Sequence, residues 1–146
     1  MLRDVSLIPL SHQHHNDLVL CVMTRRSLAQ DSTPDNVARL ARRVIDGYEL
    51  ELINHFEIEE QVLFPACGSL PLIDELLAEH RAIEAMIPPL RTAPAPGLLE
   101  EFCQLLASHI RREESELFEQ IQRSLPRDTL DRAGAEIDRR AVRICW

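Results

Sequence analysis

Apolar residues recur every three or four positions through four long stretches of this chain, and proline-rich breaks separate them. That is the period of a helix burying one face. The first stretch runs from about Leu10 to Ala29, with Leu18, Val19 and Val22 on one stripe, and the segment AQDSTPD closes it. The second opens on Thr33 as N-cap, with Pro34 first in the helix and Asp35 in its first turn, a combination that satisfies or removes free amide donors and suits the dipole. It continues through Leu40, Val44, Tyr48, Leu52, His55, Val62 and Leu63 to about Phe64, with Gly47 as a weak point costing about 1 kcal/mol relative to Ala. A third helix, roughly Leu70 to Ile87, is stopped by Pro88 and Pro89, and RTAPAPG reads as a loop. A fourth runs from about Leu98 to Ser124, and a shorter Arg-rich helix follows Pro126, from Asp128 to Val142. Aromatic residues are 4% of the chain against 45% hydrophobic, so the core is Leu, Ile, Val and Ala, which favours helices over strands. The expected fold is all-α, an up-down-up-down four-helix bundle over about residues 10–124 with a short C-terminal fifth helix over about 126–146, forming one domain across residues 1–146.

Charge narrows the partners. Twenty-four acids oppose 16 bases for a net charge of −8, and every base is Arg. Such a chain lacks the basic face that nucleic acid or an anionic membrane surface requires. No apolar run reaches the ~20 residues of a membrane span, and the N-terminal MLRDVSLIPL lacks a secretory signal's apolar stretch and cleavage site; the expected location is cytoplasmic. Cys21, Cys67, Cys103 and Cys145 are scattered with no CxxC pair, which reads as reduced structural thiols.

One pattern occurs twice. Residues 55–64 read HFEIEEQVLF and residues 109–118 read HIRREESELF, sharing H-[FI]-x-x-E-E-x-x-L-F. In an alternating bundle the second and fourth helices run the same way, so the two copies can face each other, the layout of a dinuclear site. His55 with Glu59, and His109 with Glu113, are i, i+4 pairs on one helix face, and each pair can chelate one ion. Leu52, Val62 and Leu63 share the stripe of His55, and Phe102, Leu105, Leu106 and Leu117 that of His109, so both pairs point inward. A buried charge there costs several kcal/mol unless a cation compensates it. His80 shares a face with Leu76, Leu77, Ile83 and Ile87; in the first helix the apolar stripe selects His15, with His14 as the alternate. The set is then four His and two Glu, nitrogen and oxygen donors that suit iron, manganese or zinc.

Around this set other residues are read more plainly. Glu60 and Glu114 point about 100° away from Glu59 and Glu113 and are expected to be solvated, as are Glu57, Arg111 and Arg112. Tyr48, two turns before His55, and Glu79, beside His80, are outer partners of the site or ordinary core and surface residues, and Glu84 is either a third-helix ligand or an exposed acid.

These residues, in this order and spacing, resemble the hemerythrin-like (HHE cation-binding) domains over roughly residues 10–124: His15; His55-x-x-x-Glu59 followed by Leu63-Phe64-Pro65; Glu79-His80; and His109-x-x-x-Glu113 followed by Leu117-Phe118. The resemblance implies a four-helix bundle around two non-haem iron ions, carboxylate-bridged by Glu59 and Glu113, oxo- or hydroxo-bridged, and capped by the His. Oxygen-carrying hemerythrins have a second third-helix His one turn away and end with His and Asp five apart. Here the neighbours of His80 at four residues are Leu76 and Glu84, and Glu113 follows His109 by four. The four-His, two-Glu set is more similar to relatives that repair iron centres or sense iron or oxygen. The expected function is a di-iron protein binding dioxygen, nitric oxide or a peroxide in oxidative or nitrosative stress or in iron-centre repair, rather than reversible oxygen carriage. The alternative is an iron-responsive module whose loaded state is read by a protein partner, with homodimerisation left open.

Overall fold

The computed structural model describes residues 2–144, and no strand occurs among them. Cys145 lies outside the described residues. A 3-10 turn, Val5–Leu7, is capped by Asp4, whose side chain accepts from the Ser6 amide at 3.0 Å. It leads into α1, Ile8–Gln30, with Pro9 in the first turn, where a missing amide hydrogen is harmless. Thr33 caps α2, which spans residues 34–67. Within α2, Pro34–Gly47, Ile53–Ile58 and Phe64–Cys67 are α-helical, and Tyr48–Leu52 and Glu59–Leu63 form π turns. Gly68, at φ 73°, ends it, as a residue without Cβ can.

α3 is Pro71–Ala85. Pro88 and Pro89 do not simply stop it: the helix ends before them, and they start a separate short helix, α4, Ile87–Thr92. Both prolines fall in a first turn that needs no amide donors, so the expected RTAPAPG loop shrinks to residues 93–95. α5 spans residues 96–124 as Pro96–Arg112, a π turn Glu113–Leu117 and Phe118–Ser124. α6 is Arg127–Arg140, and residues 141–144 leave the helix. No helix among the described residues is long and apolar enough to cross a membrane.

Two apolar clusters fill the interior. One gathers Leu40, Val44, Leu52, Ile83, Phe102 and Leu106; the other gathers Leu10, Ile58, Leu63, Leu76, Leu117 and Phe118. Each of α1, α2, α3 and α5 passes from one cluster to the other and carries polar residues at the crossing: His14 between Leu10 and Cys21, His55 and Glu59 between Leu52 and Leu63, His80 between Leu76 and Ile83, and His109 and Glu113 between Leu106 and Leu117. A polar layer is thus sandwiched between two hydrophobic ones.

α6 closes the second cluster with Leu130 and Ile137 and is clasped to the N-terminal turn by Arg127, whose Nη1 donates to Asp4 Oδ2 at 2.7 Å. The approach is close because position 134 is glycine. A Cβ there would fall 2.4 Å from Ser6 Oγ and 2.8 Å from Ser6 Cα. Gly134→Ala should therefore lower stability by about 1–3 kcal/mol in urea unfolding. Gly97→Ala, whose Cβ would meet nothing within 4 Å, should not.

Candidate metal centre

Two carboxylates, Glu59 and Glu113, lie at 0% exposure in the middle of the polar layer, and four imidazoles surround them. His55 Nε2 lies 3.0 Å from Glu59 Oε1, and His109 Nε2 lies 2.7 Å from Glu113 Oε1; these are the i, i+4 pairs of the repeated pattern. His14 Nε2 approaches Glu113 Oε2 at 3.0 Å. His80 Nε2 stands between the acids, 3.4 Å from Glu59 Oε1 and 3.6 Å from Glu113 Oε1. Donor atoms fall into two quartets, His14, His55, Glu59 and Glu113, and His80, His109, Glu59 and Glu113, in each of which the atoms lie within 4.8 Å of one another. Both quartets use the same two carboxylates.

The local backbone serves this arrangement. Each carboxylate opens a π turn, Glu59–Leu63 and Glu113–Leu117, in which the amide of the following Phe, Phe64 or Phe118, donates to the carbonyl of the Glu five residues earlier. A π turn inserts one residue into the helix without ending it, and such turns recur at functional sites.

Each imidazole directs Nε2 inward and has Nδ1 held from outside. His14 Nδ1 meets Glu114 Oε2 at 2.9 Å, His80 Nδ1 meets Glu60 Oε2 at 2.7 Å, and His109 Nδ1 meets Glu79 Oε1 at 2.8 Å. His55 Nδ1 meets the carboxamide oxygen of Gln13 at 2.9 Å. Arginines anchor the three outer acids: Arg3 on Glu114, Arg81 on Glu60, and Arg112 on Glu79. Outer partners of this kind fix the tautomer and aim of a ligating His. Phe56 stacks on His80 with ring centroids 3.8 Å apart, shielding the layer on that side.

Without a cation the layer is poorly satisfied. Buried side-chain atoms with no hydrogen-bond partner include both oxygens of Glu59, Glu113 Oε1, and Nε2 of His55, His80 and His109. Lone pairs converging without donors are what a cation answers, and nitrogen and oxygen atoms without thiolate suit iron, manganese or zinc. The proton balance agrees. Burial and the neighbouring Glu113 push the Glu59 carboxyl well above the usual carboxylate range. Burial also acts to raise Glu113, but the neighbouring His109, Glu59 and His14 outweigh it and hold Glu113 well below that range. Burial opposes charge on His14, yet its bonds to Glu113 and Glu114 push its pKa up to about 9. Burial and the charge on His14 drop His55 to about 3.

The placement of the expected residues is uneven. His55, Glu59, His80, His109 and Glu113 come together. In the first helix it is His14 that joins them and His15 that is exposed, a correction with a clear cause. Half of the buried residues of α1 are polar, Gln13, His14, Asp17 and Thr24, while Val19 and Val22, which suggested the His15 face, are 44% and 47% exposed. Glu84 stands apart, paired with Arg81 at 3.0 Å. Tyr48 is half-buried and lines an outer groove with Phe56, Glu60, Arg81 and Glu84, outside both quartets. Glu79 holds His109 rather than its chain neighbour His80. Glu60 and Glu114, expected to be solvated, each grip an imidazole, and Arg112, also expected to be solvated, anchors Glu79. The signal for the two acids lies in the repeat, where both copies read Glu-Glu: the first acid enters the layer and the second reaches across to a His of another helix. Gln13 and Asp17 carry no such mark.

A helical fold whose long helices converge His and Glu on one buried layer defines a cation-binding helical domain. The family model of the hemerythrin HHE cation-binding domain matches residues 4–121, and the chain belongs to that family. No curated protein and no solved structure is significantly similar to it.

Asp17, one turn after His14, is 3% exposed with Oδ2 lacking any partner, and burial together with Glu51 pushes its carboxyl well above the usual range. An unsatisfied buried polar group costs stability. Asp17→Leu should stabilise the metal-free protein by about 1 kcal/mol or more in urea unfolding.

Proposed function

We propose that this layer holds two iron ions, one in each quartet, with Glu59 and Glu113 shared between them, and that the protein binds a small ligand, dioxygen, nitric oxide or a peroxide, in oxidative or nitrosative stress or in the repair of iron centres. The observation that supports this reading is the convergence of buried, unpartnered nitrogen and oxygen atoms into two quartets sharing one pair of carboxylates. Iron supplies redox and Lewis-acid chemistry that the side chains lack. The chain's own part is to orient and to exclude. The outer acids and Gln13 leave the Nε2 lone pairs free to face inward, Phe56 and Phe118 cover His80 and His14, and the apolar clusters keep bulk water away. Four donor residues per ion leave room for a small ligand. One turn to either side of His80 stand Leu76, fully buried in the apolar cluster, and Glu84, paired with Arg81, and neither is a His, which favours ligand binding other than reversible oxygen carriage.

Iron analysis and optical spectra of aerobically and anaerobically purified protein test this directly. Two irons per chain, with spectra that respond to dioxygen, nitric oxide or peroxide, are expected; stoichiometric zinc without iron after iron-replete expression would refute it. The shared carboxylates predict an unequal set of variants. Glu113→Ala should lose both ions, His109→Ala should lose one, and His15→Ala should lose none.

A pH dependence follows from the same groups. With pKa about 9, His14 carries a proton at pH 7 in the metal-free protein, and Glu59 is pushed toward protonation as well. Both must be deprotonated to bind a cation, so affinity rises with pH toward 9. Chelator competition should give about a tenfold gain per pH unit for each proton released.

A further inference from the structure

Three of the four imidazoles are held by carboxylates, which can only accept a hydrogen bond. His55 is held by Gln13, a carboxamide that can present either its oxygen or its NH2 group. Gln13 is 1% exposed, and its orientation is settled elsewhere in the chain. Its Nε2 donates to the main-chain carbonyl of Val142 and to Asn54 Oδ1, both at 3.0 Å. Asn54 is itself oriented by main chain: its Oδ1 accepts from the Val142 amide at 3.0 Å, and its Nδ2 donates to the Arg140 carbonyl at 3.0 Å. A backbone carbonyl can only accept and a backbone amide can only donate. The segment just after α6 therefore fixes both carboxamides, leaving Gln13 only its oxygen to offer His55. His55 must then carry its proton on Nδ1 and keep the Nε2 lone pair free. The Val142 side chain is 39% exposed, so it is the main chain of this segment that makes the contact.

We propose that residues 140–142 set the tautomer of His55 through Asn54 and Gln13, and thereby decide whether this imidazole can bind a cation at Nε2. With the segment displaced, Gln13 is free to turn its NH2 group toward Nδ1. That donor moves the imidazole proton to Nε2 and removes the lone pair from the quartet. His14, His80 and His109, held by acids, have no such freedom. The metal consequence rests on the two-ion reading above; the tautomer itself does not.

The test compares the full chain with a chain ending at Arg140 and with one ending at Ala141, which likewise lacks the Val142 carbonyl and amide and serves if the shorter chain does not fold. In the metal-free protein, ¹⁵N NMR of the imidazoles should find His55 protonated on Nδ1 in the full chain and on Nε2 in the variant, with the other three His unchanged. With ferrous ion as the probe, the variant should bind one of two ions about ten- to a hundredfold more weakly. Adding Gln13→Glu to the variant should restore both the tautomer and the affinity, because a carboxylate can only accept from Nδ1–H. An unchanged His55 tautomer in the variant overturns the proposal, as does a loss of affinity that Gln13→Glu fails to rescue. A full chain that binds no iron while the tautomer shifts as described would overturn the two-ion reading and leave this one standing.

Discussion

Two carboxylates are buried face to face at the centre of this molecule, and most of its architecture answers the cost of putting them there. Glu59 and Glu113 share a space closed above and below by aliphatic side chains. Two like charges there would repel at short range in a medium that screens them poorly. The metal-free chain eases the conflict by pushing Glu59 toward its protonated form and holding Glu113 toward its ionised form beside His109 and His14. A cation resolves it without protons and satisfies the imidazole nitrogens at the same time. The apolar clusters are in this sense walls, and the polar layer is what they enclose.

Around the layer runs a second ring of contacts that links it to the surface. Each of three outer acids takes an imidazole on one side and an arginine on the other, in the pairs Glu114 with Arg3, Glu60 with Arg81 and Glu79 with Arg112. The chain has no lysine, so each anchor is a planar, permanently charged fork. Exposed ion pairs add little to stability; their value here is directional, since an acid pinned on its outer side keeps its inner oxygen on the imidazole. The fourth imidazole departs from this scheme, being held by an amide and, through it, by main chain.

Helices, their caps and five of the six residues at the centre were legible from spacing alone, because a helix writes its buried face every three or four residues and because the pattern beginning at His55 returns at His109. What was not legible has specific causes. The π turns at Glu59 and Glu113 add a residue to each helix, so α-helical spacing, which turned Glu60 and Glu114 outward, misjudged which imidazoles they reach. Glu84 has the right distance along α3 but pairs with Arg81 at the surface. Pro88 and Pro89 read as a stop and instead begin a helix, since a first turn and a break place the same demand on proline. Gln13 is recruited by main chain more than 120 residues away, and no local pattern records that.

The polar residues on the inner face of α1 bear on what seats this helix. Gln13, His14, Asp17 and Thr24 face the interior, whereas Val19, Val22 and Met23 remain exposed. Leu10, Cys21 and Leu28 share the inner face, so apolar residues lie on both sides of α1 and no single apolar stripe sets its rotation. The hydrogen bonds of His14 to Glu113 and Glu114 and of Gln13 to His55 hold the native one. α1 is seated by the polar layer that it completes.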